Sequence, residues 1–192
     1  MKLKEIYSSD FINQFGENAD GFGQLLLLPS SPYIDLKKIA ELLGIKLNYV
    51  HLPDNHSGAF DETNQTIKIN QNHPATRKRF TIAHEIGHDV LGHHGISLRS
   101  TALGSYESVL EKSNEMAANN FAATLLMPRK LLVKLVKEAI TQLGLDDAGL
   151  TKQQIAEVTK IISQELAVSE ETMTYRLQNV SMFVKMDDYR NI

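Results

Sequence analysis

The stretch RFTIAHEIGHDVLGHH, residues 79–94, constrains this chain more than any other segment. It holds four of the seven histidines in the chain, together with a row of aliphatic residues. The aliphatic residues recur at helical spacing, which predicts a helix over about residues 74–91 with one buried face. Two interpretations are open at this point. The segment is either a histidine-rich surface helix or a helix that holds a metal ion.

The two histidines of the HEIGH motif have the spacing of metal ligands. His84 and His88 are four residues apart, so a helix presents both imidazoles on the same face. Glu85 lies beside them and can accept a proton from a metal-bound water without binding the metal itself. Zinc lowers the pKa of such a water to roughly 7. The motif therefore predicts that His84 and His88 bind zinc and that Glu85 is the general base.

A catalytic zinc site needs a third protein ligand, and the chain has no cysteine that could supply one. Glu115 in SNEMAANNFAATLLMP is the best candidate. Four alanines follow it on the predicted helix, and their small side chains allow that helix to approach the first one closely. Asn114 or Asn119 could donate or accept hydrogen bonds that orient the ligands. We therefore expect one Zn²⁺ ion per chain.

Cleavage of a peptide bond would also require a group that stabilises the oxyanion. His93, Tyr106 and Arg77 are candidates, and the sequence does not rank them. The pair His93–His94 follows Gly92, so contacts at the end of the helix are the alternative to metal ligation.

Cap and turn residues divide the rest of the chain into short elements. Asp35 has the position of an N-cap and Gly44 that of a stop signal, which predicts a helix between them. Residues 45–50 alternate as a strand, and residues 57–70 are typical of a hairpin. Glycines and serines predict a loop over residues 92–107.

Helical patterns dominate the second half of the sequence. They cover residues 107–127 and 129–142, on either side of Pro128, which cannot continue a helix. Two or three short helices follow. We expect three parts, which are a lead-in at 1–33 that packs on the core, a core at 34–145, and a C-terminal helical region at 146–192.

Composition and charge exclude several classes of protein. The net charge of -3 argues against a protein that coats nucleic acid or membrane surfaces. Without cysteine, disulfides and thiolate zinc sites are excluded. The N-terminus lacks the pattern of a signal peptide, and no apolar run approaches the length of about twenty residues that spans a bilayer. We therefore expect a cytoplasmic protein that has no contact with a membrane.

RKRFTIAHEIGHDVLGH followed by NEMAANNFAATLLMP resembles the ImmA/IrrE family of metallopeptidases. The likeness runs from about Ile34 to Pro128 and includes the segments IDLKKIAELLGI and IKIN. It implies an α+β fold, in which a zincin-like core has a small antiparallel sheet packed on the HExxH helix. It also implies a gluzincin-like site, with Glu115 as the third ligand. One departure is Ala117, where many relatives carry a second acidic residue.

The C-terminal segment LAVSEETMTYRLQNVSMF is similar to the helix-turn-helix-like part that follows the peptidase core in these relatives. From residue 151 onwards there are five Lys and Arg residues against six Asp and Glu residues. Contacts with DNA phosphates need a basic surface, which this balance does not provide. We interpret these helices as packing or partner-binding elements rather than as a DNA-binding unit.

The resemblance implies a regulatory endopeptidase that cleaves a helix-turn-helix repressor of a mobile element or a stress-response system. The strand TIKIN could offer its edge to an extended substrate. The alternative is a non-enzymatic regulator or a toxin–antitoxin-type component, in which a peptidase-like fold binds a partner. An intact Glu85 favours the enzyme, because a structural zinc site needs no general base.

Overall fold

A computed structural model describes residues 1–28, 32–93, 104–146 and 149–183, without the side chains of residues 104–108. In these ranges the α-helices are α1 (Ser9–Asn13), α2 (Ala19–Gln24), α3 (Leu36–Leu42), α4 (Ala75–Val90), α5 (Gly104–Leu126), α6 (Arg129–Gln142), α7 (Lys152–Glu165) and α8 (Glu170–Asn179). The strands are β1 (Lys46–Val50), β2 (Gly58–Asp61) and β3 (Thr66–Asn70). The α+β class predicted from the sequence is confirmed.

The three strands form one mixed sheet in the order β1-β3-β2. The hairpin was predicted, and β2 and β3 pair antiparallel as expected. The expectation of an antiparallel sheet is wrong for β1, which pairs parallel to β3 with Lys46 opposite Thr66. The chain reverses direction between β1 and β2 and again between β2 and β3. Strand β3 therefore runs in the same direction as β1, beside which it lies. Ile67 and Ile69 of β3 are fully buried.

Most predicted helix boundaries agree with the structure. The Asp35 side chain accepts hydrogen bonds from the N–H groups of Lys37 and Lys38, and Gly44 has the left-handed φ of 72° that suits a helix stop. The predicted loop over residues 92–107 is wrong at its end, because α5 begins at Gly104. Gly104 and the serine after it form the first turn of a helix rather than a loop, and residues 94–103 lie outside the described ranges.

One hydrophobic cluster includes buried side chains from the N-terminal segment, from strand β3 and from the helices α3 to α8. Phe11 stacks on Phe121 of α5 with ring centroids 5.0 Å apart, and Phe15 stacks on Phe22 at 3.9 Å. The N-terminal segment therefore packs on the helix that carries Glu115. This aromatic layer supports the rear of α5 and so holds its position relative to α4.

The C-terminal helices are capped by their own side chains. Thr151 and Gln154 form a reciprocal capping box at the start of α7, and Ser169 caps α8. The two helices are joined by a short turn at Ala167, which has a positive φ of 52°. This agrees with the helix-turn-helix-like pattern. Within the described ranges, no helix has both the length and the apolar character required to cross a bilayer.

Candidate metal centre

His84 and His88 lie one turn apart on α4 and direct their imidazoles to the same point. The two Nε2 atoms are 3.0 Å apart, and the rings meet edge to face with centroids 4.6 Å apart. Ile82, Ala83 and Ile86 on the opposite side of α4 are buried in the core. The apolar face of the helix thus fixes the direction in which the histidines point.

Glu115 reaches the same point from α5. Its Oε1 atom is 3.2 Å from His88 Nε2, and its Oε2 atom is 3.4 Å from His84 Nε2. The Glu115 side chain is 53% exposed, so the group lies at the surface of the protein rather than inside it. The structure therefore brings together the three residues that the sequence predicted as ligands.

The three side chains fit a divalent metal such as zinc. They offer two imidazole nitrogens and one carboxylate oxygen that all lie within 4.8 Å of one another. Ligands bound tetrahedrally at about 2.0–2.2 Å are separated by roughly 3.3–3.6 Å. The observed separations of 3.0, 3.2 and 3.4 Å are close to these values. Two histidines and one glutamate are also a donor set of catalytic zinc sites, which keep one position open.

Each histidine has a second contact through its other ring nitrogen. His84 Nδ1 is 3.0 Å from the side-chain oxygen Oδ1 of Asn119, which lies one turn after Glu115 on α5. His88 Nδ1 is 3.1 Å from Nδ1 of His93, just beyond the end of α4. Both imidazoles are therefore held from behind, on the side away from the Nε2 atoms.

Glu85 is half-buried between α4 and the sheet. The backbone N–H of Phe60 in β2 donates a hydrogen bond to its carboxylate. Burial, and secondarily the charge of Glu115, raise the pKa of Glu85 to about 7, although the Phe60 hydrogen bond acts in the opposite direction. The contact with Phe60 could not be predicted from the sequence, because a backbone N–H group leaves no signal in the identity of its residue.

Burial, followed by the charge of the neighbouring His84, lowers the pKa of His88, against the opposing effect of Glu115. A lowered pKa favours the neutral imidazole, which is the form that binds a metal.

An open cleft of about 660 Å³ adjoins the centre. Strand β2 forms one side of it and α5 the other, and its lining residues are Ala59, Phe60, Asp61, Glu62, Lys68, His88, His93, Glu111, Asn114 and Glu115. The strand TIKIN cannot offer an edge to a substrate, because it is β3 and is paired on both sides. The edge strand that borders the cleft is β2.

The other predicted site residues have different positions. Arg77 does not line the cleft, and its Nε and Nη2 atoms donate hydrogen bonds of 3.1 and 2.9 Å to Ser57 Oγ. The backbone of Tyr106 belongs to α5, but its side chain lies outside the described residues, as does His94. His93 lines the cleft and contacts His88.

Comparison with known proteins places these observations in a family. Residues 40–178 match the family model described as the IrrE N-terminal-like domain. Over 123 residues the chain is 33% identical to the radiation response metalloprotease IrrE of Deinococcus radiodurans. The alignment covers 64% of this chain and 34% of that protein, so the chain spans about a third of its relative.

A solved structure described as a Mycobacterium tuberculosis transcriptional regulator has a similar fold. Its TM-score is 0.53 at 18% identity, and the match covers 92% of this chain and 51% of that chain. At this identity the likeness concerns the fold alone. The family model, in contrast, matches well over half of the chain. The protein therefore belongs to the IrrE N-terminal-like domain family, in agreement with the resemblance of its motifs.

Proposed function

We propose that the chain is a zinc-dependent endopeptidase of the regulatory type. The observation that carries this proposal is the convergence of His84 Nε2, His88 Nε2 and the Glu115 carboxylate beside the half-buried Glu85, at the edge of an open cleft. A structural zinc site has four protein ligands and no need of a carboxylate that does not bind the metal. Three candidate ligands and an adjacent fourth group are what a hydrolytic site requires.

His84, His88 and Glu115 would hold the ion and leave one coordination position for water or substrate. When bound, zinc supplies Lewis acidity, which polarises a peptide carbonyl and makes water nucleophilic near neutral pH. The cleft is open along β2 and α5, so an extended polypeptide can approach the centre from solvent.

Glu85 would move the proton. The Phe60 N–H donates to its carboxylate and thereby restrains the side chain next to the candidate ligands. From this position the carboxylate can accept a proton from the attacking water and return it to the amine that leaves. A glutamine at position 85 would keep the size and most hydrogen bonds of the side chain, but it could not accept the proton.

The substrate we propose is a protein, specifically a helix-turn-helix repressor of a mobile element or a stress-response system. Membership of the family supports this class of substrate. The Deinococcus relative is a radiation response metalloprotease, which also supports a role in the stress response. The protein would act in the cytoplasm, where such repressors are found.

The C-terminal helices would pack on the core or bind a partner rather than DNA. Helix α8 begins with Glu170 and Glu171, and its one cationic residue is Arg176. The Nε atom of Arg176 donates a hydrogen bond of 3.1 Å to the carbonyl oxygen of Met127, so its guanidinium is engaged within the protein. A recognition helix needs several cations that face the phosphates.

The test is a comparison of the wild-type protein with Glu85→Gln. Both are analysed for metal content and incubated with the repressor encoded nearest to the gene, and cleavage is followed by intact-mass spectrometry. We expect one zinc per chain in both proteins and cleavage by the wild type alone. If Glu85→Gln retained full biological activity, the chain would be a partner-binding regulator and not an enzyme.

A further inference from the structure

Helix α4 ends in a Schellman motif that includes a candidate metal ligand. Gly92 has a φ of +68°, and its N–H donates a 3.0 Å hydrogen bond to the Asp89 carbonyl. The next residue, His93, donates from its backbone N–H to the carbonyl of His88 at 2.9 Å. These are the two backbone bonds of the motif, and they place the side chains of His88 and His93 against each other.

The side-chain contact has a defined geometry. His93 Nδ1 is 3.1 Å from His88 Nδ1, and the two rings are inclined at 69° with centroids 5.1 Å apart. The contact uses the nitrogen of His88 that faces away from Glu115, whose Oε1 atom is next to His88 Nε2. His93 therefore lies behind the ligand rather than among the ligands. In agreement with this, the group of potential donors within the described residues contains Glu115 and not His93.

We infer that His93 is a positioning residue which fixes the tautomer and the orientation of His88, and that the Schellman motif at Gly92 holds it in place. The inference rests on the proposed zinc site. A histidine that binds a metal through Nε2 carries its proton on Nδ1 and donates it to a neighbouring acceptor. The atom next to His88 Nδ1 is His93 Nδ1, so His93 must offer the lone pair on that nitrogen.

This assignment determines the proton position on His93 as well. When Nδ1 of a neutral imidazole is the acceptor, its proton is on Nε2. Metal binding on His88 therefore makes His93 a donor through Nε2, on a ring that lines the cleft. The same logic applies to His84, whose Nδ1 atom is opposite the acceptor Oδ1 of Asn119. His84 is thus oriented by a residue of α5, whereas His88 is oriented by a residue at the end of α4, its own helix.

Two amide substitutions separate this role from others. The side-chain oxygen of His93→Asn can take the place of Nδ1, whereas His93→Gln carries its amide further out, near the position of Nε2. Zinc affinity is measured by competition with a chromophoric chelator, which does not depend on catalysis. We expect His93→Ala and His93→Gln to bind zinc about 10- to 100-fold more weakly than the wild type. His93→Asn should stay within a few-fold, as should the control His56→Ala, an exposed histidine in the loop before β2.

A second pair of variants tests the helix end. Asparagine tolerates the left-handed conformation that Gly92 adopts, whereas a β-branched valine does not. We expect Gly92→Asn to retain zinc affinity. For Gly92→Val we expect zinc affinity to fall by as much as it does in His93→Ala. Circular dichroism of the metal-free proteins checks that each variant folds. Imidazole ¹⁵N shifts of the zinc-loaded wild type should show His88 protonated at Nδ1 and His93 protonated at Nε2.

The outcomes distinguish the inference from the proposed function. If the wild type binds no zinc, both are overturned. If the wild type binds zinc but folded His93→Ala and His93→Gln bind it equally well, only the role of His93 is wrong. A proton on Nδ1 of His93 in the zinc-loaded protein would also overturn the inference and leave the proposed function intact.

Discussion

Gly87 lies directly against Phe121, at the point where α4 and α5, the two helices of the candidate metal centre, approach each other closely. A Cβ atom at Gly87 would be 3.0 Å from Phe121 Cδ1 and 3.3 Å from the carbonyl oxygen of Ala118. Both distances are tighter than most Cβ contacts, so an alanine at this position would require its neighbours to shift by a few tenths of an ångström. The close approach places Glu115 within hydrogen-bonding distance of His88.

We predict that Gly87→Ala destabilises the protein and weakens zinc binding. Overpacking typically costs about 1–3 kcal/mol, and alanine recovers roughly 1 kcal/mol through its helix propensity. The Phe121 side chain is buried and the Ala118 oxygen belongs to the backbone, so relief requires α5 to move. The expected net loss is about 1 kcal/mol by chemical denaturation. Adding Phe121→Leu to Gly87→Ala should recover part of the lost stability. An undiminished zinc affinity in Gly87→Ala would show that the close approach of α4 and α5 is not needed for metal binding.

Asn119 should matter for metal binding through the acceptor that it presents to His84. We predict that Asn119→Ala lowers zinc affinity by about 10- to 100-fold, whereas Asn119→Asp, which keeps an acceptor, retains it. The neighbouring Asn120 provides a matched control, because it is exposed and lies on the same helix. Equal affinities of Asn119→Ala and Asn120→Ala would show that His84 does not need this partner.

Removal of metal should lower the thermal stability of the protein. A ligand at 100 times its dissociation constant stabilises the folded state by about 2.7 kcal/mol. We therefore expect zinc to raise the Tm of the wild type and a chelator to reverse the change, as measured by calorimetry. His88→Ala should show neither effect. A zinc-dependent Tm shift of the same size in His88→Ala would place the metal elsewhere.

Asn70 is predicted to be essential for the loop that precedes β2. It is fully buried, and its Nδ2 group donates to the carbonyl oxygens of Leu52, Pro53 and His56 at 3.0, 3.2 and 2.9 Å. Asn70→Asp would replace the donor with a carboxylate that faces three carbonyls, at a cost of at least about 2 kcal/mol. The same change at the exposed Asn72 should have little effect. Denaturant unfolding of both variants provides the comparison.

Tyr7 attaches the N-terminal segment to the end of α5. Its buried hydroxyl donates a 2.5 Å hydrogen bond to the carbonyl oxygen of Leu125. Tyr7→Phe leaves that carbonyl without this donor, and we expect a loss of about 1–2 kcal/mol in the free energy of unfolding. The exposed Tyr175 supplies the control, since Tyr175→Phe removes the same hydroxyl from a surface position. If the two variants were equally stable, the N-terminal segment would not depend on this bond.

The sequence alone determined the local part of the site. Spacing of four residues places His84 and His88 on one helical face, since the period of a helix depends only on the backbone. Cap residues act within a few positions of themselves, and for this reason the start of α3 at Asp35 could be predicted. Glu115 could be proposed because small residues beside a carboxylate are visible in the sequence.

Only the tertiary structure decided which distant groups meet. The parallel pairing of β1, the hydrogen bond from the Phe60 N–H to Glu85, and the contact of Arg77 with Ser57 away from the cleft all depend on packing between elements. For His93, the sequence showed its position after Gly92. Its contact with His88 could be seen only once the structure gave the geometry at the end of α4. Local periodicity is set by neighbouring dihedral angles, whereas the meeting of remote elements is set by how the whole core packs.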